Sequence, residues 1–231
     1  MITRISSPIL VTGAERSGSS IIAKIINLCG GFTGKSNNMY ENTRIKKYIA
    51  NYYQYMGIDP STQYPLPNRE HLPNNVNVRE LILRTLYEEG LNGEAPWVYK
   101  SSKSCQIWPI LHKSFPEAQW IVVRRRTGDI VNSCIHTAYM YSYSNKMIQS
   151  IVGVDTEREG WIWWVREHEK MFQEMEQSNL KIKTIWPERM VTGDYSQVKD
   201  MIEWLGLTWN EDIPKLIEPM LANSKINTEK I

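Results

Sequence analysis

Three cysteines, three phenylalanines and four histidines are all that the 231 residues contain of those types, and each scarcity removes a class of protein. Cys29, Cys105 and Cys134 are odd in number and far apart, which excludes a disulfide scaffold and suits free thiols in a reducing, cytoplasmic setting. No cysteine pair has zinc-ligand spacing and the histidines are scattered, so no metal site is expected. No apolar run approaches the ~20 residues of a membrane span. The opening Met1-Ile2-Thr3-Arg4-Ile5 reads as strand-like rather than as a leader. An excess of charge is missing too. With 27 basic against 25 acidic side chains, the net charge of +2 gives no general affinity for nucleic acid. Any anion binding must be local.

What is present is a globular composition, 42% hydrophobic and 23% charged, at a length that fits one domain over residues 1–231. Pro8 to Thr12 is a short apolar run ending at Gly13, the pattern of a buried strand. Gly18 to Leu28 repeats isoleucines with helical period and stops at Gly30-Gly31. Further helices are expected from about Glu41 to Met56, from Val76 to Glu89 and from about Gly128, and strands at Trp97–Lys100 and Gln119–Val123. Glu157 to Glu176 carries Trp161, Trp164, Val165, His168, Met171, Phe172 and Met175 at i, i+3, i+4, i+7 spacing, an amphipathic helix with His168 in its core stripe. A last strand at Ile182–Trp186 precedes a helix from Ser196 to Leu205. Residues 57–75 hold four prolines, and residues 139–155 show no period, so both are expected as covering or mobile segments; the polar tail 223–231 is expected to fray. Strands alternating with helices predict a three-layer α/β/α fold with a mostly parallel central sheet and ligands at the carboxyl ends of its strands.

The first strand delivers Gly13-Ala14-Glu15-Arg16-Ser17-Gly18-Ser19-Ser20 to a helix start. This is the frame of a Walker A loop, but Ser19 stands where Lys should be. Open N–H groups with the helix dipole behind them favour an anion. Ser17, Ser19 and Ser20 add hydroxyl donors, and Arg16 adds a guanidinium able to fork onto two oxygens. The missing Lys argues against nucleoside-triphosphate chemistry, in which it spans the outer phosphates. A P-loop kinase or hydrolase with an altered loop, or a silent nucleotide-binding protein, stays as the alternative reading.

Glu15-Arg16-Ser17-Gly18-Ser19-Ser20 resembles the 5′-phosphosulfate loop of sulfotransferases, the carbohydrate-type and compact bacterial or phage-encoded members above all. The resemblance implies a P-loop NTPase-like architecture. It also implies metal-independent transfer of a sulfuryl group from 3′-phosphoadenosine 5′-phosphosulfate (PAPS) to a hydroxyl or amine of a small-molecule or carbohydrate acceptor. A second family element is a strand ending in Arg, an Asp four residues on and a Ser four beyond. In Trp120-Ile121-Val122-Val123-Arg124-Arg125-Arg126-Thr127-Gly128-Asp129-Ile130-Val131-Asn132-Ser133 this places Arg125 and Ser133 at the 3′-phosphate. Asp129 and Ser133 are i, i+4 and so share a helix face below a strand-end guanidinium. The family's usual Asn-Pro after its Arg is replaced by Arg126-Thr127, and Arg124 and Arg126 read as a solvated basic corner paired with acids.

In-line sulfuryl transfer needs a base for the acceptor and positive charge for the leaving phosphate. Arg16 occupies the place where many members carry Lys and is expected to serve the leaving oxygen. Met39-Tyr40-Glu41-Asn42 resembles the stretch whose Glu faces the acceptor, making Glu41 the expected base; His136 is the other candidate. Lys100, at a strand end, is expected at the sulfuryl oxygens. Trp163 falls off the core stripe of its helix and is the aromatic best placed to stack on an acceptor. The 57–75 and 139–155 segments are expected to cover that acceptor.

Overall fold

The computed structural model describes residues 8–65 and 77–226. Expectations for the first residues, for 66–75 with its His71, and for 227–231 lie outside them. Four short strands, β1 (Ile9–Gly13), β2 (Val98–Lys100), β3 (Gln119–Val123) and β4 (Lys181–Ile185), form a wholly parallel sheet in the order β2-β1-β3-β4. Val11 pairs with Lys100 on one side and Ile121 on the other, and Gly13 ends level with Val123. The β1 and β3 strands therefore finish together, which brings the loops that follow them to one edge.

Side chains alternate across a strand, and here both faces are covered. Ile9, Val11, Val98, Ile121 and Ile185 pack against α1 (Ser19–Leu28), α8 (Glu188–Val191), α9 (Ser196–Trp204) and α10 (Ile213–Ile226). Leu10, Tyr99, Trp120 and Val122 pack against α2 (Thr43–Tyr55), α3 (Val78–Glu88) and α4 (Trp108–Ser114). The three-layer α/β/α arrangement is thus built from the burial of both sheet faces. A third cluster joins α5 (Thr127–Ile135), α6 (Lys146–Val152) and the first half of α7 (Glu157–Gln177).

The α7 helix shows why the long apolar stripe was readable. Thr156 accepts from the Glu159 N–H while the Glu159 carboxylate accepts from the Thr156 N–H, a closed capping box. Its stripe is buried throughout, including His168. Trp161 and Trp164, fully enclosed, each remove on the order of 4–6 kcal/mol of apolar surface from water.

Two expectations change. Residues 139–155, which showed no period, have regular structure. They form a 3-10 turn at Ser142–Ser144 and then α6, both too short to display a period. Tyr143 anchors them, fully buried with its ring 4.7 Å from that of Trp161. It fits only because position 160 is Gly, where a Cβ would lie 2.4 Å from the Tyr143 ring. The C-terminal segment runs on as helix to Ile226 rather than fraying from residue 223.

His168 sets an acid limit on this core. Its Nδ1 lies 2.9 Å from the Trp164 carbonyl, and burial pushes its pKa from 6.5 down to about 4. An unfolded chain takes up this proton near pH 6.5 and the folded one does not until about 4, so stability falls as pH drops through that window. The loss amounts to roughly 3 kcal/mol. Urea unfolding of wild type and His168→Gln between pH 7 and 4 checks it, with the variant expected to show a much flatter dependence.

Candidate active site

The loop between β1 and α1 is shaped by close packing. At Gly13 a Cβ would sit 2.4 Å from the Val123 carbonyl oxygen and 2.6 Å from Ser17 Oγ, so only glycine lets the two strand ends and the loop meet. The Ser17 N–H donates back to the Ala14 carbonyl at 3.1 Å. Arg16 and Gly18 both take positive φ, 68° and 95°, a conformation costly for Arg and easy for Gly. Gly18 caps α1 without a side-chain bond, leaving first-turn N–H groups open. Ser17 Oγ is buried without a partner. A buried orphan hydroxyl beside open amides is what an anion cradle presents before its ligand arrives.

The three arginines after β3 separate in direction. Arg124 turns inward, 3.2 Å from both Glu169 and Glu176 and over the Phe172 ring, a packing role. Arg126 is exposed and pairs with Asp129 at 3.1 Å. Arg125 reaches back, and its Nη1 donates to the Arg16 carbonyl at 3.3 Å. Arg16 in turn donates from Nε to Ser133 Oγ at 2.8 Å and approaches the Tyr139 hydroxyl at 3.5 Å. The loop after β1 and the helix after β3 are therefore joined through Arg16.

Two adjoining cavities share Gly18 and Arg125. The larger, about 510 Å³, is lined by Glu15, Arg16, Ser19, Ser20, Glu41 and Lys100, with Lys46, Met39, Ser102 and Tyr139 at its sides. The smaller, about 150 Å³, takes Ser17, Arg126, Asp129, Pro187 and Glu188. His136 lines neither. It ends α5 exposed, its Nδ1 2.7 Å from the Asn132 carbonyl, so the expected second base is not brought to the cleft. Trp163 is half-buried beside Tyr143 in the third core cluster and also stays out.

Glu41 reaches the cleft through a tight local frame. Asn37 Oδ1 accepts from the Glu41 N–H at 3.1 Å, and Asn42 caps α2 by accepting from Arg44 and Ile45. Lys100 arrives from the end of β2 and meets Glu41 Oε1 at 3.1 Å, while Lys46 meets Oε2 at 2.5 Å. Burial alone would raise the Glu41 pKa, but the two ammonium groups outweigh it and hold the carboxyl at about 2. Burial depresses Lys100 against the pull of Glu41. Glu41 therefore lines the cleft tied to two lysines. Glu15 differs. Burial raises its pKa against Lys103 and Lys100, and its Oε2 has no hydrogen-bond partner.

The two segments expected to cover an acceptor are fastened together where they are described. Gln63 Nε2 donates to the Tyr139 carbonyl at 2.9 Å, and its Oε1 accepts from the Tyr141 N–H at 3.2 Å and the Ser142 hydroxyl at 3.3 Å. Trp164 Nε1 donates to the Thr62 carbonyl at 2.8 Å. Sequence reasoning gave no role to Glu15, Lys46 or Tyr139. Glu15 sits inside the loop, where a carboxylate is not part of an anion-binding pattern; no spacing rule links Lys46 or Tyr139 to the cleft.

A strand-loop-helix anion cradle and a strand-end arginine converging at the carboxyl edge of a parallel sheet define a P-loop-type α/β protein. The sequence profile of the Sulfotransferase family matches residues 8–211, and the chain belongs to that family. No curated protein has a matching sequence. Among solved structures, the fold is similar to sulfotransferase STF9 from Mycobacterium avium, with TM-score 0.59, 13% identity, and 96% of this chain and 69% of that one covered. The sulfotransferase domain of the Synechococcus PCC 7002 olefin synthase gives TM-score 0.59 at 12% identity over 91% and 76% of the two chains. A sulfotransferase from Alicyclobacillus acidocaldarius gives 0.55 at 12% over 99% and 95%. Among the described residues, no helix is long and apolar enough to cross a membrane.

The Glu41–Lys100 pair is enclosed, with side-chain exposures of 11% and 4%, so breaking it costs more than removing it. Glu41→Ala is expected to lose about 3–5 kcal/mol because Lys100 is left uncompensated, and Glu41→Ala combined with Lys100→Met to recover most of that. Urea denaturation of the three proteins measures the difference.

Proposed function

We propose that this member of the family transfers the sulfuryl group of PAPS to a hydroxyl or amine of a small-molecule or carbohydrate acceptor. The observation that carries the reading is that Arg16 and Arg125 line one cleft with the loop after β1, and that Arg16 Nε reaches Ser133 Oγ behind it at 2.8 Å. A ligand with an anion at each end of a short nucleoside would need two such points, and the unpartnered Ser17 hydroxyl supports an anionic occupant. Ser17, Gly18, Ser19 and Ser20 hold the 5′-phosphosulfate by backbone and hydroxyl donors, with the Arg16 charge beside the leaving oxygen. Arg125 and Ser133 hold the 3′-phosphate. PAPS, when bound, supplies an activated sulfuryl group whose leaving group is a phosphate.

The protein's own contribution is charge and position. Lys100, kept in place by Glu41 and lining the same cavity as the loop, would supply positive charge to the sulfuryl oxygens of a bound PAPS, in place of the cation that Ser19 removes from the loop. Arg16, being permanently charged, stabilises the leaving oxygen without giving up a proton. The acceptor enters past Met39 and Tyr139, both partly exposed at the cleft, and the fastened 57–65 and 139–155 segments form its outer wall.

Calorimetry with 3′-phosphoadenosine 5′-phosphate (PAP), ATP and GTP tests this. Selective PAP binding that does not depend on Mg²⁺ is expected, whereas Mg²⁺-dependent ATP binding would place the chain with kinases or hydrolases. Arg125→Ala is expected to weaken PAP at least tenfold, since one charge-assisted contact is worth about 1.5–3 kcal/mol; a folded variant with unchanged affinity removes the 3′-phosphate assignment.

A further inference from the structure

The two proposed anion points account for the ends of the donor nucleotide and leave its base without a place. The smaller cavity adjoins both, through Gly18 on the loop after β1 and Arg125 at the end of β3. Its volume of about 150 Å³ is that of roughly five waters, room for one planar ring system and little more. Ile21 on α1, Pro187 after β4, Val191 on α8 and Leu221 on α10 give it apolar walls, the usual surround of a small ligand. Gly18 lets the loop lie against one of these walls: a Cβ there would be 3.2 Å from Pro187 Cγ.

Among the described residues, two polar side-chain atoms of this cavity are buried without a hydrogen-bond partner. One is the Ser17 hydroxyl on the anion loop; the other is Glu188 Oε2. The rest of the set is engaged. Asp129 pairs with Arg126 at 3.1 Å and lies 3.9 Å from Arg125, and the Thr192 hydroxyl donates to the Arg189 carbonyl at 2.8 Å. Glu188 itself is held from one side only, its Oε1 accepting from the Arg126 N–H at 3.2 Å. A carboxylate oxygen left bare in a buried, mostly apolar pocket is costly unless a donor arrives. Adenine joined to a ribose carries one N–H group, its 6-amino group, and its ring nitrogens are acceptors.

We propose that Glu188 is the residue that selects the base of the donor nucleotide, its Oε2 accepting a hydrogen bond from the 6-amino group of an adenine seated in this cavity. The inference rests on the sulfotransfer reading with PAPS as donor. Glu188 takes no part in the transfer; it is a specificity residue. The selection works in both directions. An amino group satisfies the bare oxygen, whereas a 6-oxo base in the same seat sets a carbonyl against it, two acceptors facing each other in a buried site. The Arg126 N–H fixes the orientation of the carboxylate, so the unpaired oxygen is held in advance of the ligand.

The test uses the intact chain, with PAP and its inosine counterpart, 3′-phosphoinosine 5′-phosphate, as calorimetric probes. Wild type is expected to bind PAP at least about tenfold more tightly than the inosine compound. Glu188→Gln keeps an amide oxygen for the Arg126 N–H and puts an NH₂ group where Oε2 stood. It is expected to lose PAP affinity by about tenfold and to gain affinity for the 6-oxo base, so that the preference disappears or inverts. Glu188→Ala is expected to weaken PAP and leave the inosine compound little changed. A structural role for Glu188 would lower both affinities together and leave their ratio alone. A wild type with no preference for PAP, or a preference kept unchanged in the folded variants, overturns the assignment while leaving the sulfotransfer reading in place. A wild-type chain that does not bind PAP removes that reading and this inference with it.

Discussion

The functional half of this molecule depends on one side chain that belongs to two loops at once. Arg16 sits on the turn after β1 and hydrogen-bonds Ser133 on α5, while its carbonyl accepts from Arg125 at the end of β3. Since β1 and β3 are adjacent parallel strands ending level with one another, this link is short and needs no intermediary. It also explains a local cost. Arg16 holds a left-handed backbone that disfavours a side chain, and the bonds it makes across the cleft are what fix that geometry.

Charge in the cleft is arranged by pairing rather than by excess. The chain is almost neutral overall, yet Arg16, Arg125, Lys46 and Lys100 line one cavity. Glu41 keeps the two lysines from repelling each other and satisfies the buried one, so a cationic wall can exist beside a hydrophobic core. Lys100 is the enclosed member of this set and Lys46 the half-exposed one, and a cation held out of water acts more strongly on a nearby charge than one in solvent.

Much of the architecture was readable from residue order because periodicity and burial agree. The apolar runs at Ile9–Gly13 and Gln119–Val123 are covered on both faces and so are continuous rather than alternating. The α7 stripe is long enough to declare its period. The anion loop was readable because glycine positions and strand-to-helix order are local facts. Less accessible were features made by distant partners. Tyr143 is ordered by Gly160, and α6 is only seven residues long, so that stretch looked irregular. The three arginines could be told apart only by what surrounds them: Glu169 and Glu176 for Arg124, Asp129 for Arg126, the Arg16 carbonyl for Arg125. Glu41 lines the cleft, but its partners are Lys46 and Lys100, one on α2 and one on β2, and a linear reading does not bring those together.

Gln63 makes three hydrogen bonds across the gap between the loop after α2 and the segment carrying Tyr139. One amide thereby welds two pieces of chain, more than seventy residues apart in order, into a common rim. Variation that reshapes one side of the entrance must carry the other with it. In this chain the two sides can be remodelled separately only after the amide that joins them is given up.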